Sequence, residues 1–133
     1  MNKIRVAVVG YGNIGKSAIE ALETAPDMEI AGIVRRAGRE NCPKEIADYT
    51  IVKDIKELEK VDVAILATPT RSVEEYALEC LKLGINTVDS FDIHSQIVAL
   101  RRTLDKAAKE NGAVSVIAAG WYPGSDSVVR TLM

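Results

Sequence analysis

The residues with the clearest chemical meaning are Gly10-Tyr11-Gly12-Asn13-Ile14-Gly15, a G-x-G-x-x-G run between an apolar stretch and an amphipathic one. In a dinucleotide fingerprint each glycine has a mechanical task. Gly10 allows a tight turn, Gly12 lets the backbone approach a pyrophosphate, and Gly15 lets a helix pack closely on a sheet. Asn13 and Ile14 open the helix, where free N–H groups and the positive end of the helix dipole hold an anion. About 20 residues on, NAD-preferring domains place an acid that accepts hydrogen bonds from the ribose 2′-hydroxyl. This chain has Val34-Arg35-Arg36 instead, and no carboxylate until Glu40. Guanidinium groups favour a 2′-phosphate through charge-assisted bonds, so the expected cofactor is NADP(H) rather than NAD(H).

Three further segments carry polar groups. Thr68-Pro69-Thr70-Arg71-Ser72 follows an apolar run, and its hydroxyls offer contacts to a nicotinamide ribose or to phosphates. Ser72 is equally an ordinary N-cap, with Glu75 three residues on as its capping-box partner. Asp89-Ser90-Phe91-Asp92-Ile93-His94 joins two carboxylates and the chain's one histidine. Asp92 also suits the N-cap of the helix that follows, and His94 reads as a first-turn structural residue rather than a catalyst. Gly120-Trp121-Tyr122-Pro123-Gly124 places the one tryptophan between glycines, where it would line a mouth. Cys42 and Cys80 form neither a CxxC pair nor a disulfide framework, Cys80 having helical core spacing with Tyr76 and Leu83. No metal site is expected.

The elements that must position these groups alternate along the chain. Strands are expected at Ile4 to Val9, Met28 to Val34, Thr50 to Val52, Val61 to Ala67, Asn86 to Val88 and Ala113 to Ala118. Helical periodicity covers Asn13 to Thr24, Asp54 to Glu59, Ser72 to a stop at Gly84, Ile93 to Asn111, and a start at Ser125. With no hairpin signal, this pattern predicts one α/β domain, a doubly wound parallel sheet of about six strands with helices on both faces. The motifs then gather at the carboxyl edge of the strands, where open α/β sheets bind ligands.

The 133 residues suit one domain, and the 47% hydrophobic and 27% charged fractions argue against disorder. With 17 basic and 19 acidic residues, a net charge of −2 gives no basic surplus for nucleic acid or an anionic membrane. No apolar run has the ~20 residues of a membrane span. The N-terminus runs into the first strand without a signal-peptide pattern, so the expected location is the cytoplasm.

Together these residues resemble the meso-diaminopimelate dehydrogenases, specifically their dinucleotide-binding half. The resemblance rests on Val9 to Lys16, Pro26-Asp27-Met28-Glu29, Val34-Arg35-Arg36, Thr87 to His94 and Ala119-Gly120-Trp121, in order along essentially the whole chain. It implies NADP-dependent oxidative deamination of meso-2,6-diaminopimelate at its D-centre, giving L-2-amino-6-oxopimelate on the route to lysine and cell-wall precursors. It also implies that Asp89 and Asp92 hold the D-amino group, that Trp121 bounds the pocket with Tyr122 beside it, and that Ser90 and Phe91 lie against the cofactor. A small amino-acid substrate and a homodimer of the full-length protein come with it. There are two departures. The family usually reads Gly-Trp-Asp-Pro-Gly, whereas Tyr122 stands here in place of that aspartate. Family members are also more than twice as long, and the domain that completes their substrate pocket and dimer surface is missing from this chain. Two other readings stay open: a related NADP-dependent amino-acid or semialdehyde oxidoreductase with a changed substrate, and a non-catalytic NADP(H)-binding module.

Overall fold

The computed structural model describes residues 2–119, which fall into two compact units, one ending at Thr68 and the other starting at Pro69. In the first unit, β1 (Ile4–Val9) leads to α1 (Asn13–Thr24), β2 (Met28–Val34), β3 (Ile51–Val52) and β4 (Val63–Leu66). The strands lie in the order β3-β2-β1-β4 and every pair is parallel. Val6 to Val9 are buried in succession, as expected of a β-branched run with both faces covered. Ile19 and Leu22 of α1 pack with Val6, Val8, Ile33, Ile46 and Ile51 into one core. Each such side chain contributes roughly 1.5–3 kcal/mol on burial. Helix α1 ends at Ala25, whose extended φ/ψ of −87°/114° is the conformation favoured before a proline, here Pro26.

This order puts the reversal of strand sequence between β1 and β4. Val9 pairs with Val34 on one side and with Leu66 on the other, so the three strands end level. The segments leaving them, from Gly10, Arg35 and Ala67, therefore emerge side by side. That is the switch-point edge at which open α/β sheets take ligands.

The second unit contains α2 (Val73–Lys82), β5 (Asn86–Asp89), α3 (Ile97–Asn111) and β6 (Ser115–Val116). Strands β5 and β6 pair in parallel, and buried Thr87 donates from its hydroxyl to Ser115 Oγ at 2.7 Å. Val73, Ala77, Cys80 and Leu81 of α2 and Leu100, Leu104, Ala107 and Ala108 of α3 are the buried helix positions. Gly112, at φ +64°, closes α3 in the left-handed conformation that glycine adopts at least cost.

The structure departs from the sequence expectations at the helix starts. Ser72 makes no capping hydrogen bond, and the box with Glu75 is not formed. A 3₁₀ turn, Thr70–Ser72, precedes α2, and the Ser72 N–H already bonds the Pro69 carbonyl. Ser72 thus has helix-like φ/ψ instead of the extended geometry of a cap. Asp92 does not cap the long helix either. A 3₁₀ turn, His94–Gln96, begins at Ile93, and α3 starts only at Ile97. The expected helix after Asp54 is a 3₁₀ turn, Ile55–Glu57, with a complete Asp54–Glu57 capping box. Strand β4 starts two residues late because Asp62 binds the Arg5 N–H through its side chain. The expected helical start at Ser125 lies outside the described residues. Among the described residues no helix is long and apolar enough to cross a membrane.

Candidate functional site

The glycines of the fingerprint differ in what requires them. Gly10 has φ +97°, and a Cβ there would fall 2.4 Å from the Ala67 carbonyl oxygen. A Cβ on Gly15 would fall 2.2 Å from the Gly10 carbonyl oxygen. Both are therefore demanded by close packing within the first unit. Gly12 has φ −97°, open to any residue, is exposed, and a Cβ on it would meet nothing within 4 Å. No close contact within the chain requires glycine at this position. A ligand brought against the backbone does. Gly12 is also the N-cap of α1 and makes no side-chain cap bond, and the first turn has no acidic residue. The early N–H groups thus meet neither a competing cap nor a repelling charge.

Just beyond β4, the Thr68 hydroxyl is buried without a hydrogen-bond partner among the described residues, and its Cγ2 lies beside Gly10. A buried hydroxyl of this kind has a hydrogen bond to offer a bound ligand. The glycine cradle and the Thr68 hydroxyl together fit a dinucleotide held at the switch point.

The two arginines after β2 divide their work. Arg35 Nη1 donates to the carbonyls of Gly38 at 2.9 Å and Glu40 at 3.4 Å, bracing the loop. Arg36 is exposed, and no described residue bonds its guanidinium. Arg39, which sequence reasoning passed over, donates to the Ala47 and Tyr49 carbonyls at 2.8 and 3.0 Å. Also missed was Tyr11, whose hydroxyl donates to Glu45 Oε1 at 3.0 Å. Burial, and then Glu45, push the Tyr11 phenol up to about 12. The Glu45 carboxyl is held below its usual value by its own backbone N–H and by Tyr11. No local pattern announces this pair, because 34 residues separate its members.

In the second unit the two predicted carboxylates occupy unlike environments. Asp89 is 3% exposed. Its Oδ1 accepts the Phe91 and Ala118 N–H groups at 2.9 and 3.0 Å, and its carbonyl accepts the Ala119 N–H at 2.7 Å. These bonds hold Ala118 at φ +54°, an unfavoured conformation for a residue with a Cβ. Oδ2 is buried with no partner among the described residues, and burial raises the carboxyl's pKa. Asp92 is exposed and accepts from Thr70 Oγ1 at 2.8 Å, so the structure joins these two sequence candidates. Phe91 is buried and lines a cleft of about 260 Å³ with Thr70, Arg71, Glu74, Gln96 and Leu100. Pro69 is exposed, Ser72 and Ser90 are half-buried, and His94 lies exposed in its 3₁₀ turn. Trp121 and Tyr122 lie outside the described residues. No cluster of three His, Cys, Asp or Glu side chains suited to a metal occurs among the described residues.

Residues 4–117 match the model of an oxidoreductase family with an NAD-binding Rossmann fold. The chain belongs to that family. Parallel strands joined by helices in each unit fit the Rossmann fold of that family. Along all 133 residues the chain is 69% identical to meso-diaminopimelate D-dehydrogenase of Bacteroides fragilis, matching 44% of that protein. The enzyme of the same name from Lysinibacillus sphaericus is 35% identical over 136 aligned positions, which take in 99% of this chain and 41% of that one. The chain thus spans less than half the length of these curated relatives. Among solved structures, Corynebacterium glutamicum diaminopimelate dehydrogenase in complex with diaminopimelate superposes with a TM-score of 0.82 at 33% identity, over 99% of this chain and 41% of that one. An engineered D-amino acid dehydrogenase bound to NADP⁺ gives a TM-score of 0.82 at 32% identity, over 98% of this chain and 40% of that one.

Proposed function

We propose that this chain is the cofactor-binding part of an NADP-dependent meso-diaminopimelate D-dehydrogenase. The reaction converts meso-2,6-diaminopimelate, water and NADP⁺ to L-2-amino-6-oxopimelate, ammonium and NADPH, with release of a proton. The observation that carries this reading is the 69% identity to the Bacteroides fragilis enzyme along every residue of the chain. The bound nicotinamide supplies the hydride chemistry, and the protein's task is to bind and orient. Gly10, Gly12 and Gly15, with the N–H groups of Asn13 and Ile14, would hold the pyrophosphate. Thr68, Pro69, Thr70 and Ser72 would border the nicotinamide end, with Ser90 and Phe91. Arg36 would take the 2′-phosphate, supported by a loop that Arg35 braces.

Asp92 offers an accessible carboxylate for the substrate's D-ammonium group. Asp89 would act beside it from its buried place, shaping the same loop through its bonds to the Phe91, Ala118 and Ala119 N–H groups. Negative charge here would help the ammonium lose a proton, and would then favour the positive charge that develops on the neutral nitrogen as the adjacent carbon loses hydride. Trp121 and Tyr122 would bound this pocket. The remaining length of the relatives is where a second domain would complete it, in a cytoplasmic homodimer. Tyr122 in place of the family's aspartate supports a second reading, a related NADP-dependent amino-acid or semialdehyde oxidoreductase with a changed substrate. A tyrosine supplies no negative charge at neutral pH.

The deciding experiment is calorimetric titration of the chain with NADP⁺ and NAD⁺, beside its Arg35→Ala and Arg36→Ala variants. Tighter binding of NADP⁺ is expected, with a loss of at least about tenfold in Arg36→Ala. A folded chain that binds neither nucleotide would overturn the reading.

A further inference from the structure

Tyr11 stands between Gly10 and Gly12, so its backbone belongs to the loop that would face the pyrophosphate. Its half-buried ring packs against the first unit's core, and its hydroxyl reaches Glu45 in the 3₁₀ turn Lys44–Ile46. Ile46, at 1% exposure, anchors that turn in the same core. Between Arg35 and this turn runs the loop that carries Arg36. The Arg35 and Arg39 bonds to the carbonyls of Gly38, Glu40, Ala47 and Tyr49 fix the shape of the segment from within. They do not tie it to the glycine loop. The Tyr11–Glu45 bond does.

We infer that Tyr11 and Glu45 form a latch that positions the loop after β2 for the 2′-phosphate, making a residue inside the glycine fingerprint a determinant of the choice between NADP and NAD. The inference rests on the dinucleotide reading above and names what sets its selectivity. Chemistry favours a latch over a free acid at position 45. An unengaged carboxylate beside an anionic cofactor would repel it. Glu45 instead accepts a charge-assisted bond from Tyr11, and the positive charge of Lys16 acts against its own.

The test compares the wild-type chain with Tyr11→Phe, Glu45→Gln, Glu45→Ala and the Tyr11→Phe/Glu45→Ala double variant. Dissociation constants are measured for NADP⁺, NAD⁺ and 2′,5′-ADP, with melting curves to confirm folding. Tyr11→Phe keeps the ring, and Glu45 is exposed, so none of these changes removes core packing. Tyr11→Phe and Glu45→Ala should each weaken NADP⁺ and 2′,5′-ADP about fivefold while leaving NAD⁺ nearly unchanged. The double variant should be no worse than either single one. Glu45→Gln, which keeps a carbonyl acceptor, should stay within about twofold of wild type.

Equal losses for NADP⁺ and NAD⁺ would overturn the inference, since they would mark a general structural role. So would additive losses in the double variant, or tighter NADP⁺ binding by Glu45→Ala, which would mark Glu45 as a repelling charge. A wild-type chain that binds neither nucleotide removes the dinucleotide reading and the latch with it. NADP⁺ selectivity that is undiminished in Tyr11→Phe removes the latch alone.

Discussion

Asp89 shows how one side chain can serve a fold and strain it together. Oδ1 accepts from two backbone donors, whereas Oδ2 is buried without a partner among the described residues. Burial raises its folded pKa above the unfolded value. The folded state then keeps its proton over a pH range in which the unfolded state has released it. Stability from this group is complete below the unfolded pKa and is lost as pH rises through the folded one. Asp89→Asn keeps an acceptor for the two N–H groups and does not titrate. Wild type should therefore gain in Tm relative to Asp89→Asn as pH falls from about 7 to about 4, by a few degrees for each ~1 kcal/mol involved. Melting curves at several pH values check this, and a difference independent of pH would contradict it. Asp92, exposed and joined to Thr70, carries no such burden and is the carboxylate that a cationic substrate can reach.

At the level of the β1–α1 connection, the glycines separate what the fold needs from what a ligand needs. Gly15→Ala would set a Cβ 2.2 Å from a backbone carbonyl oxygen, and α1 could relieve the clash only by shifting off the sheet. Gly12→Ala meets nothing within 4 Å. Gly15→Ala should lose about 3 kcal/mol of stability together with nucleotide binding. Gly12→Ala should lose at most about 1 kcal/mol, the cost of a poorer N-cap, and yet weaken NADP⁺ by at least about tenfold. Denaturant melts paired with titrations test the contrast. Undiminished binding by Gly12→Ala would remove the close approach inferred at that residue. The helix starts carry a related lesson. Ser72 and Asp92 have the residue types of N-caps, but 3₁₀ turns enter α2 and α3, and the side chains are left for other work.

For the molecule as a whole, a net charge of −2 supplies no long-range attraction for a polyanionic dinucleotide, so selectivity has to come from a few local groups. Raising salt from about 50 to about 500 mM should weaken NADP⁺ binding more than NAD⁺ binding, and Arg36→Ala should abolish that difference. Equal salt dependence in wild type and variant would move the phosphate contact elsewhere. Much of this protein is legible in its sequence because the signals are local. The β-branched run Ile4–Val9, the glycines after it, the arginines after β2 and the glycine closing α3 each need only near neighbours to be understood. The Rossmann class and the nucleotide-binding edge follow from them. Tertiary structure decided the rest. It turned Arg35 inward to loop carbonyls while leaving Arg36 exposed, buried Asp89, joined Thr70 to Asp92, and brought Tyr11 to Glu45 across 34 residues. The reason is physical. Periodicity and turn chemistry act over a few residues, whereas the partner of a polar side chain is set by which distant segments the parallel sheet brings together.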